Sequence, residues 1–301
     1  MDRPLRHAYL IITHGSFPIL EKLLRFLDSE NADFYIHLDA RVKDFDFERY
    51  RTIPQKSSVT FVDRVKISWG HYSLVECEMK LLRSAAGGRY DYYHLLSGVD
   101  VPVKSRSYIE SYFLRSPGHN YLRFQAETLT REYLDRVRLY HPFQRWNIQN
   151  RAVRTALRRA ANLVQLLIGV DRTQKLGPGF QFQKGAQWFS LTDAAVRCLL
   201  EREGEIRELF HSTFCPDEIF VHTILLNSPL RDTLPTGEAS HDYRSCLRYI
   251  DWQRGKPYTF TDEDLPELLQ TGPDFLFARK FDYSRWPGVV EGLFEHFGEK
   301  E

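Results

Sequence analysis

Cysteine is scarce in this sequence, and so is net charge. The four cysteines among 301 residues lie far apart and form no CxxC pair, which argues against a zinc site and against a disulfide framework. Reduced thiols in a cytoplasm are the simplest account of them. Because 41 Lys and Arg face 40 Asp and Glu, the net charge of +1 gives no general attraction to nucleic acid. We therefore expect no nucleic-acid partner.

Long apolar runs are missing as well. No stretch approaches the ~20 apolar residues that span a bilayer, and the first residues leave no room for a secretory signal. These absences predict a cytoplasmic protein. The most apolar run, 160–170, follows the basic segment 151–159, and such a helix can rest on the inner face of a membrane. The alternative, which the pattern favours, is a buried helix with a solvated start.

Common hydrolase signatures are also absent. The sequence contains no GxSxG elbow, no HExxH helix and no P-loop. Glycoside hydrolysis by a pair of carboxylates stays open, because any two of the 40 acidic residues can converge in the fold. No pattern in the sequence supports that chemistry.

The first hundred residues alternate between short apolar strands and amphipathic helices. Residues 8–13 form a continuous apolar run, typical of a strand buried on both faces of a parallel sheet. Further strands are predicted at 33–38, 59–62 and 92–96, and helices at 19–28, 75–85 and 108–114. This alternation implies right-handed crossovers and a doubly wound α/β sheet, in which ligands bind at the carboxyl ends of the strands.

The stretch from Gly185 to His222 combines an aromatic strand with two helix starts. Thr192 and Asp193 are N-cap residue types, and Pro216-Asp217-Glu218 precedes a second predicted helix at 219–226. Proline suits the first helical position and carboxylates suit the first turn, so an ordinary helix start is one interpretation. The other is a general base, because a carboxylate at the rim of an aromatic pocket can accept a proton.

Seven segments, read together, resemble the core-2/I-branching β-1,6-N-acetylglucosaminyltransferase family, which includes the peptide O-xylosyltransferases. They appear in the family's order and span nearly the whole chain. The segments are AYLIITH (8–14), YIHLDAR (35–41), the Ser68 and Trp69 pair, YHLLSGVDVPVKS (93–105), GAQWFSLT (185–192), CPDEIFVHTIL (215–225) and LFARKFD (276–282). The resemblance implies a GT-A-like, nucleotide-sugar-binding α/β fold, with a mostly parallel central sheet and helices on both faces. It also implies an inverting reaction that needs no divalent metal.

The division of the chain follows from this resemblance. We expect one glycosyltransferase domain over 1–301, because no repeat, low-complexity tract or linker interrupts the sequence. Its nucleotide-sugar-binding half is 1–117 and its catalytic half is 184–301. Residues 118–183 are polar, arginine-rich and aromatic, and we interpret them as an insertion that shapes the acceptor site. A solvated basic surface is the alternative.

The resemblance carries roles to individual residues. In the family's PDE motif the glutamate is the base, which implies that Glu218 takes the proton of the acceptor hydroxyl while Asp217 orients or caps it. Asp39 matches the position that reads the uracil ring. Lys280 matches a cation that stabilises the charge on the leaving UDP, although it can equally be an ordinary surface charge. The second cation falls at Arg254 or Lys256.

The remaining predicted contacts fall on the two sides of the site. On the donor side we place residues near predicted strand ends, Thr13 and Lys66. On the acceptor side we place Trp69, Asp100, Arg136, Asp217, Trp188 and Trp252, of which Trp252 is a stacking surface for the acceptor sugar. Asp100 can alternatively organise a turn before Pro102.

No metal or other cofactor is expected, with a UDP-sugar as the co-substrate. Asp-x-Asp pairs occur at Asp44 with Asp46 and at Asp262 with Asp264. Both are predicted to be structural, because the first lies in a charged connection directly after Asp39 and the second begins a predicted helix after Thr261. His37 and Asp39 lack a third metal ligand spaced nearby.

The donor and the acceptor stay open. UDP-GlcNAc with a β-1,6 linkage is the leading expectation and UDP-xylose is the alternative. A carbohydrate-binding protein of the same fold without turnover is a further hypothesis. Because the sequence lacks the stem, membrane anchor and disulfides of the animal members, we expect a compact bacterial member that acts on a saccharide or a lipid-linked glycan.

Overall fold

The computed structural model describes residues 3–125, 131–145, 150–177 and 179–298. Nine strands and eleven α-helices are defined in this part of the chain. In chain order they are β1 (His7–Thr13), α1 (Phe17–Phe26), β2 (Ala32–Leu38), α2 (Phe47–Arg51), β3 (Val59–Phe61), α3 (Ser73–Ala85), β4 (Tyr92–Ser97), β5 (Val101–Pro102), α4 (Arg106–Leu114), β6 (Tyr121–Phe124), α5 (Arg131–Arg138), α6 (Arg151–Leu167), β7 (Gly185–Thr192), α7 (Asp193–Glu201), α8 (Glu203–Phe210), α9 (Phe220–Leu226), β8 (Arg248–Ile250), α10 (Leu265–Leu269), β9 (Phe277–Arg279) and α11 (Pro287–Phe297).

The central sheet has six strands in the order β3-β2-β1-β4-β7-β6. The first four pair in parallel, whereas β7 runs antiparallel to β4 and β6 runs antiparallel to β7. Because β2 and β4 lie on opposite sides of β1, the strand order reverses there, and the carboxyl ends of these strands form the edge where such sheets bind ligands.

Helices cover both faces of this sheet, as the sequence predicts. Every residue of β1 is buried, and its side chains alternate between two apolar cores. Leu10 packs into a core with α3, α7, α8 and α9, whereas Ile11 packs into a core with α1, α4, α10 and α11. The predicted α/β, GT-A-like architecture with a mostly parallel central sheet is therefore confirmed.

A second, three-stranded sheet in the order β5-β9-β8 was not predicted. Its strands are two or three residues long, too short to give a clear period of two in the sequence. This sheet supports the segment that carries Arg279 and Lys280 beside the turn that carries Asp100.

The middle of the chain differs from the predicted insertion. Strand β6 is part of the central sheet, so the sheet includes residues up to Phe124 that were predicted to belong to the insertion beginning at 118. The helix expected after Thr192 and Asp193, over about 194–203, is α7, and a further helix that was not predicted, α8, follows it directly after Arg202.

The expectation that the apolar run 160–170 is a buried helix is wrong. Helix α6 ends within this run, and its apolar residues Leu163, Val164 and Leu167 are exposed, as is Ile168 directly after it. Separately, none of the helices in the described ranges has the length and the apolar composition that crossing a bilayer requires.

Candidate active site

Glu218 lies where three separate segments of the chain meet. It ends the 3-10 turn Pro216–Glu218, and helix α9 starts two residues later. Its Oε2 atom is 3.2 Å from Nη1 of Arg136, on α5, and 3.2 Å from Nζ of Lys184, which directly precedes β7. The carboxylate is about one-third exposed, whereas both cations are mostly buried. Two cations thus hold an accessible carboxylate in place.

Lys184 is a site residue that the sequence analysis missed. Its ammonium group also lies 4.4 Å from the centre of the Tyr133 ring, and the guanidinium of Arg136 lies 4.8 Å from the same ring. The only feature of the sequence that could have indicated Lys184 is its position directly before β7, at the end of the strand that lies against α9. Pairing with Glu218 depends on tertiary structure, which the linear sequence does not show.

Asp217 points away from the accessible side of Glu218. It is buried, and its Oδ1 atom has no hydrogen-bond partner among the described residues. Burial, followed by the charge of Glu218, raises the pKa of Asp217 to about 7. Its burial favours the orienting role for Asp217, and its acceptor contact stays a prediction.

A second buried carboxyl group, Glu78 on α3, lies behind Asp217. Burial, followed by the charge of Asp217, raises the pKa of Glu78 well above its usual range. Gln187 Nε2, on β7, donates a hydrogen bond of 2.8 Å to Glu78. Asp217 and Glu78 therefore form a buried acidic pair next to Glu218, and both carboxyl groups favour the protonated form.

We expect Asp217→Asn to flatten the pH dependence of stability. A carboxyl group with an ordinary pKa of 3.8 and a folded pKa of about 7 stabilises the fold fully below the lower value. This contribution is lost as the pH rises through 7. Between about pH 5 and about pH 8 the free energy of unfolding of the wild type should fall by about 2–3 kcal/mol more than that of the variant. Urea unfolding at both pH values measures the difference, and equal falls would contradict the buried, protonated Asp217.

His222 has a structural role. It is fully buried, its Nε2 donates to the carbonyl of Arg123 at 3.1 Å, and burial lowers its pKa to about 3. Its position one turn after Glu218 suggests a catalytic partner in the sequence, but the structure directs the ring to the backbone of β6.

Trp252 forms an aromatic wall near Glu218, as expected for a stacking surface. Its half-exposed indole stacks on Tyr243, with ring centres 6.4 Å apart and an interplanar angle of 28°. The guanidinium of Arg123 covers Tyr243 at 4.3 Å. Burial raises the pKa of Tyr243, with the charges of Arg123 and Glu218 acting on it in opposite directions, which places these groups in one neighbourhood. The sequence analysis did not identify Tyr243 or Arg123.

Asp100 and Trp188 both contact Arg279. Asp100 is fully buried, accepts a hydrogen bond from the Ser97 amide at 2.6 Å and lies 3.4 Å from Nε of Arg279. The guanidinium of Arg279 covers the Trp188 ring at 3.8 Å. Asp100 is thus engaged within the protein, in keeping with the alternative in which it organises a turn, whereas Trp188 is partly exposed and its acceptor contact stays a prediction.

Asp39 uses its full acceptor capacity within the protein. It is buried at the carboxyl end of β2, where it accepts three hydrogen bonds from Arg41 and one from the Ile67 amide. Burial alone would raise its pKa, but these bonds lower it to about 2. Because a carboxylate offers about four lone-pair directions, a bond to a uracil ring requires Arg41 or the Ile67 amide to give way.

The other residues predicted to contact the sugar-nucleotide donor fall into two groups: side chains that are bonded within the protein and side chains that are exposed. Thr13 is buried and donates to the carbonyl of Gly15, so it faces the protein. Arg254 is paired with three carboxylates, those of Asp251, Asp264 and Glu267. The side chains of Lys66, Lys256 and Lys280 are exposed. Of the two residues predicted as the second cation, Lys256 is the better candidate, because Arg254 already pairs with three carboxylates.

Both Asp-x-Asp segments have structural partners, as predicted. Asp46 caps α2 by accepting from the Arg49 amide, and Asp264 accepts from the Thr261 amide in a capping box. Asp262 accepts from the Val289 amide at the start of α11. His37 Nε2 accepts a hydrogen bond from the Val65 amide, so this ring nitrogen is not free to bind a metal ion.

A cavity of about 400 Å³ adjoins the acceptor side. Trp69 and Phe214, whose rings meet edge to face at 5.6 Å, form one wall, and residues of α6 form another. Arg136 connects this cavity with the base, because its guanidinium lies 5.4 Å from the Phe214 ring while it binds Glu218. Trp69 and Arg136, both predicted on the acceptor side, thus both lie against Phe214.

The doubly wound sheet and the accessible carboxylate beside an aromatic wall are features of glycosyltransferases that use nucleotide sugars. The profile of the family described as "Branch: Core-2/I-Branching enzyme" matches residues 7–271. The chain belongs to this family, which consists of glycosyltransferases.

Relatives with known names agree with this assignment. Xylosyltransferase 2 of Canis lupus familiaris is 24% identical over 314 residues, which cover 97% of this chain and 34% of that protein. Xylosyltransferase 1 of Homo sapiens is 22% identical over 300 residues, which cover 93% of this chain and 29% of that protein. The chain therefore spans about a third of the length of these relatives. Mouse xyloside xylosyltransferase 1 aligns over 91% of this chain and 96% of its own at 11% identity, with a TM-score of 0.36, too low to bear on the fold.

Proposed function

We propose that the protein transfers a sugar from a UDP-sugar to a hydroxyl group of a glycan or glycoconjugate, with inversion and without a metal ion. The single observation that carries this proposal is the accessible Glu218 carboxylate, held by Arg136 and Lys184 beside the aromatic wall of Tyr243 and Trp252. Membership of a glycosyltransferase family supports the reaction class.

The proposed reaction is a single displacement. Glu218 takes the proton of the acceptor hydroxyl while its oxygen attacks the anomeric carbon, and the bond to UDP breaks with its electron pair going to the β-phosphate. Lys280, with Lys256 as second cation, stabilises that developing charge. Asp217 and Glu78, protonated and buried, keep further negative charge away from the base. Trp252 offers its exposed face to the acceptor sugar.

The donor is proposed from the family and its named relatives. The family description includes core-2/I-branching enzymes, which supports UDP-GlcNAc and a β-1,6 linkage. The similar curated proteins are named xylosyltransferases, which supports UDP-xylose. Both donors therefore belong in the first assay, with UDP-xylose as the specific alternative.

Release of UDP in the presence of EDTA tests this proposal. We expect release from one of the two donors and an unchanged rate when EDTA is replaced by Mg²⁺ or Mn²⁺. Activity that EDTA abolishes and a divalent ion restores would overturn the metal-free mechanism. Binding of glycans without release from either donor would favour the non-catalytic carbohydrate-binding alternative.

Replacement of Lys280 tests the stabilisation of the leaving group. We expect Lys280→Ala to lower kcat by on the order of 10-fold, less than the loss of a buried donor because the charge is exposed. Lys280→Arg should restore most of the rate, since it keeps the charge. Lys56, exposed before β3 at the opposite edge of the sheet, supplies the control variant Lys56→Ala. Equal rates for Lys280→Ala and Lys56→Ala would remove Lys280 from the mechanism.

A further inference from the structure

Helix α6 presents an apolar face to solvent. Leu163 and Val164 are 58% and 56% exposed, Leu167 is 76% exposed, and Ile168 directly after the helix is 71% exposed. Val153, near the start of the helix, is 47% exposed. Contiguous exposed apolar side chains of this kind mark interaction sites rather than an ordinary surface.

Four polar residues of the same helix contact the rest of the protein. Gln165 accepts from the Tyr140 amide at 2.7 Å and donates to the Tyr140 carbonyl at 2.9 Å. The guanidinium of Arg158 lies 4.8 Å from the Phe214 ring, and Thr155 and Asn162 line the cavity next to it. This is the reverse of a surface helix in a globular protein, whose apolar stripe faces the core.

The positive charge of this segment favours an anionic lipid surface as the partner. Residues 151–170 contain four arginines and no acidic residue, within a chain whose net charge is +1. Arg159 is exposed on the helix. A basic helix with an apolar face lies in the interface of a membrane that contains anionic lipids. The exposed side chains are aliphatic, whereas the residues that dominate protein interfaces are Trp, Tyr and Arg, so a lipid surface fits better than a protein.

We propose that the apolar face of α6 docks this protein on a membrane surface that contains anionic lipids. The 17-residue helix, about 25 Å long, lies parallel to the bilayer plane with Leu163, Val164 and Leu167 in the acyl boundary. Its inward face lines the cavity beside Trp69 and Phe214. Docking therefore brings this cavity to within about one helix diameter, ~10 Å, of the headgroups.

Sedimentation with vesicles tests the docking without any measurement of turnover. The vesicles are phosphatidylcholine alone, or phosphatidylcholine with about one-third phosphatidylglycerol. We expect the wild type to bind the anionic vesicles, and added salt to weaken this binding. The double variant Leu163→Gln with Leu167→Gln should lose at least ~10-fold in partitioning, because two apolar side chains no longer leave water. Leu167→Trp should bind more tightly than the wild type.

Leu114 supplies the matched control. It is 52% exposed on α4, so Leu114→Gln makes the same chemical change outside α6 and should leave binding unchanged. Both glutamine variants should unfold at the wild-type urea midpoint, as expected for substitutions at surface positions. Absence of binding by the wild type, or equal binding by the α6 double variant, would overturn the proposal. So would a dimer in solution that the double variant dissociates, because a second copy would then cover this face.

Discussion

Glu218→Gln is expected to lower the kcat of transfer by at least ~100-fold, the scale of losing a general base. The amide keeps the size of the side chain but cannot take the proton of the acceptor hydroxyl. The KM for the donor should change little, because Glu218 acts on the acceptor side. Initial rates of UDP release over a range of donor concentrations measure both parameters.

The matched control is Glu208→Gln on α8, an exposed glutamate that lies outside the site. Its rate should equal that of the wild type. Binding of UDP to the Glu218→Gln variant, followed by calorimetry, shows whether the donor side remains intact. A variant that binds UDP normally and retains more than about a tenth of the wild-type rate would rule out Glu218 as the base.

Gly185→Ala is expected to unfold or severely distort the protein. A Cβ atom on Gly185 would lie 2.0 Å from the carbonyl oxygen of Arg123 and 2.1 Å from Nε2 of His222. Neither neighbour can move freely, because one is backbone of β6 and the other is fully buried and hydrogen-bonded to it. We expect the free energy of unfolding to fall by about 3 kcal/mol or more, as for a severely overpacked core. The variant should also lose activity, because Lys184 adjoins this residue.

Gly204→Ala is the corresponding control. Gly204 lies within α8, and a Cβ atom there meets no heavy atom within 4 Å. Because alanine is the better helix former, this variant should be more stable by about 0.5–1 kcal/mol. Urea unfolding of both variants measures the contrast. Similar stabilities for the two would show that β7 does not pack against His222 as the structure places it.

The sequence predicted those strands and helices whose hydrophobic pattern or capping residues match their environment in the folded protein. The unbroken apolar run of β1 is buried on both faces, and the side chain of Thr192 caps α7 by accepting from the Ala195 amide. Strand β6 was not recognised, because only Leu122 and Phe124 carry its apolar alternation and the polar segment after it obscures the pattern. The exposed apolar face of α6 corresponds to the less favoured of the two interpretations, because hydrophobicity alone favours burial of such residues.

Only those residues of the candidate site that belong to a recognisable sequence motif, or lie near one, were identified from the sequence. The turn that contains Glu218 and the nearby Trp252 were both found from the sequence, whereas Lys184 reaches Glu218 only through the packing of β7 against α9. The tethering of Asp39 by Arg41 was also missed. Two polar residues such as Asp39 and Arg41, which follow the end of a strand, can either bind a ligand together or pair with each other. Their spacing in the sequence is the same in both cases.

The most direct test of a single displacement with Glu218 as base is the anomeric configuration of the first product. Donor hydrolysis followed by real-time proton NMR needs no acceptor, and UDP-xylose and UDP-GlcNAc both carry the sugar in the α configuration. Attack by water from the face opposite UDP should release the β anomer first, before mutarotation, at a rate that Glu218→Gln lowers by at least ~100-fold. Initial release of the α anomer would contradict single displacement and the role assigned to Glu218.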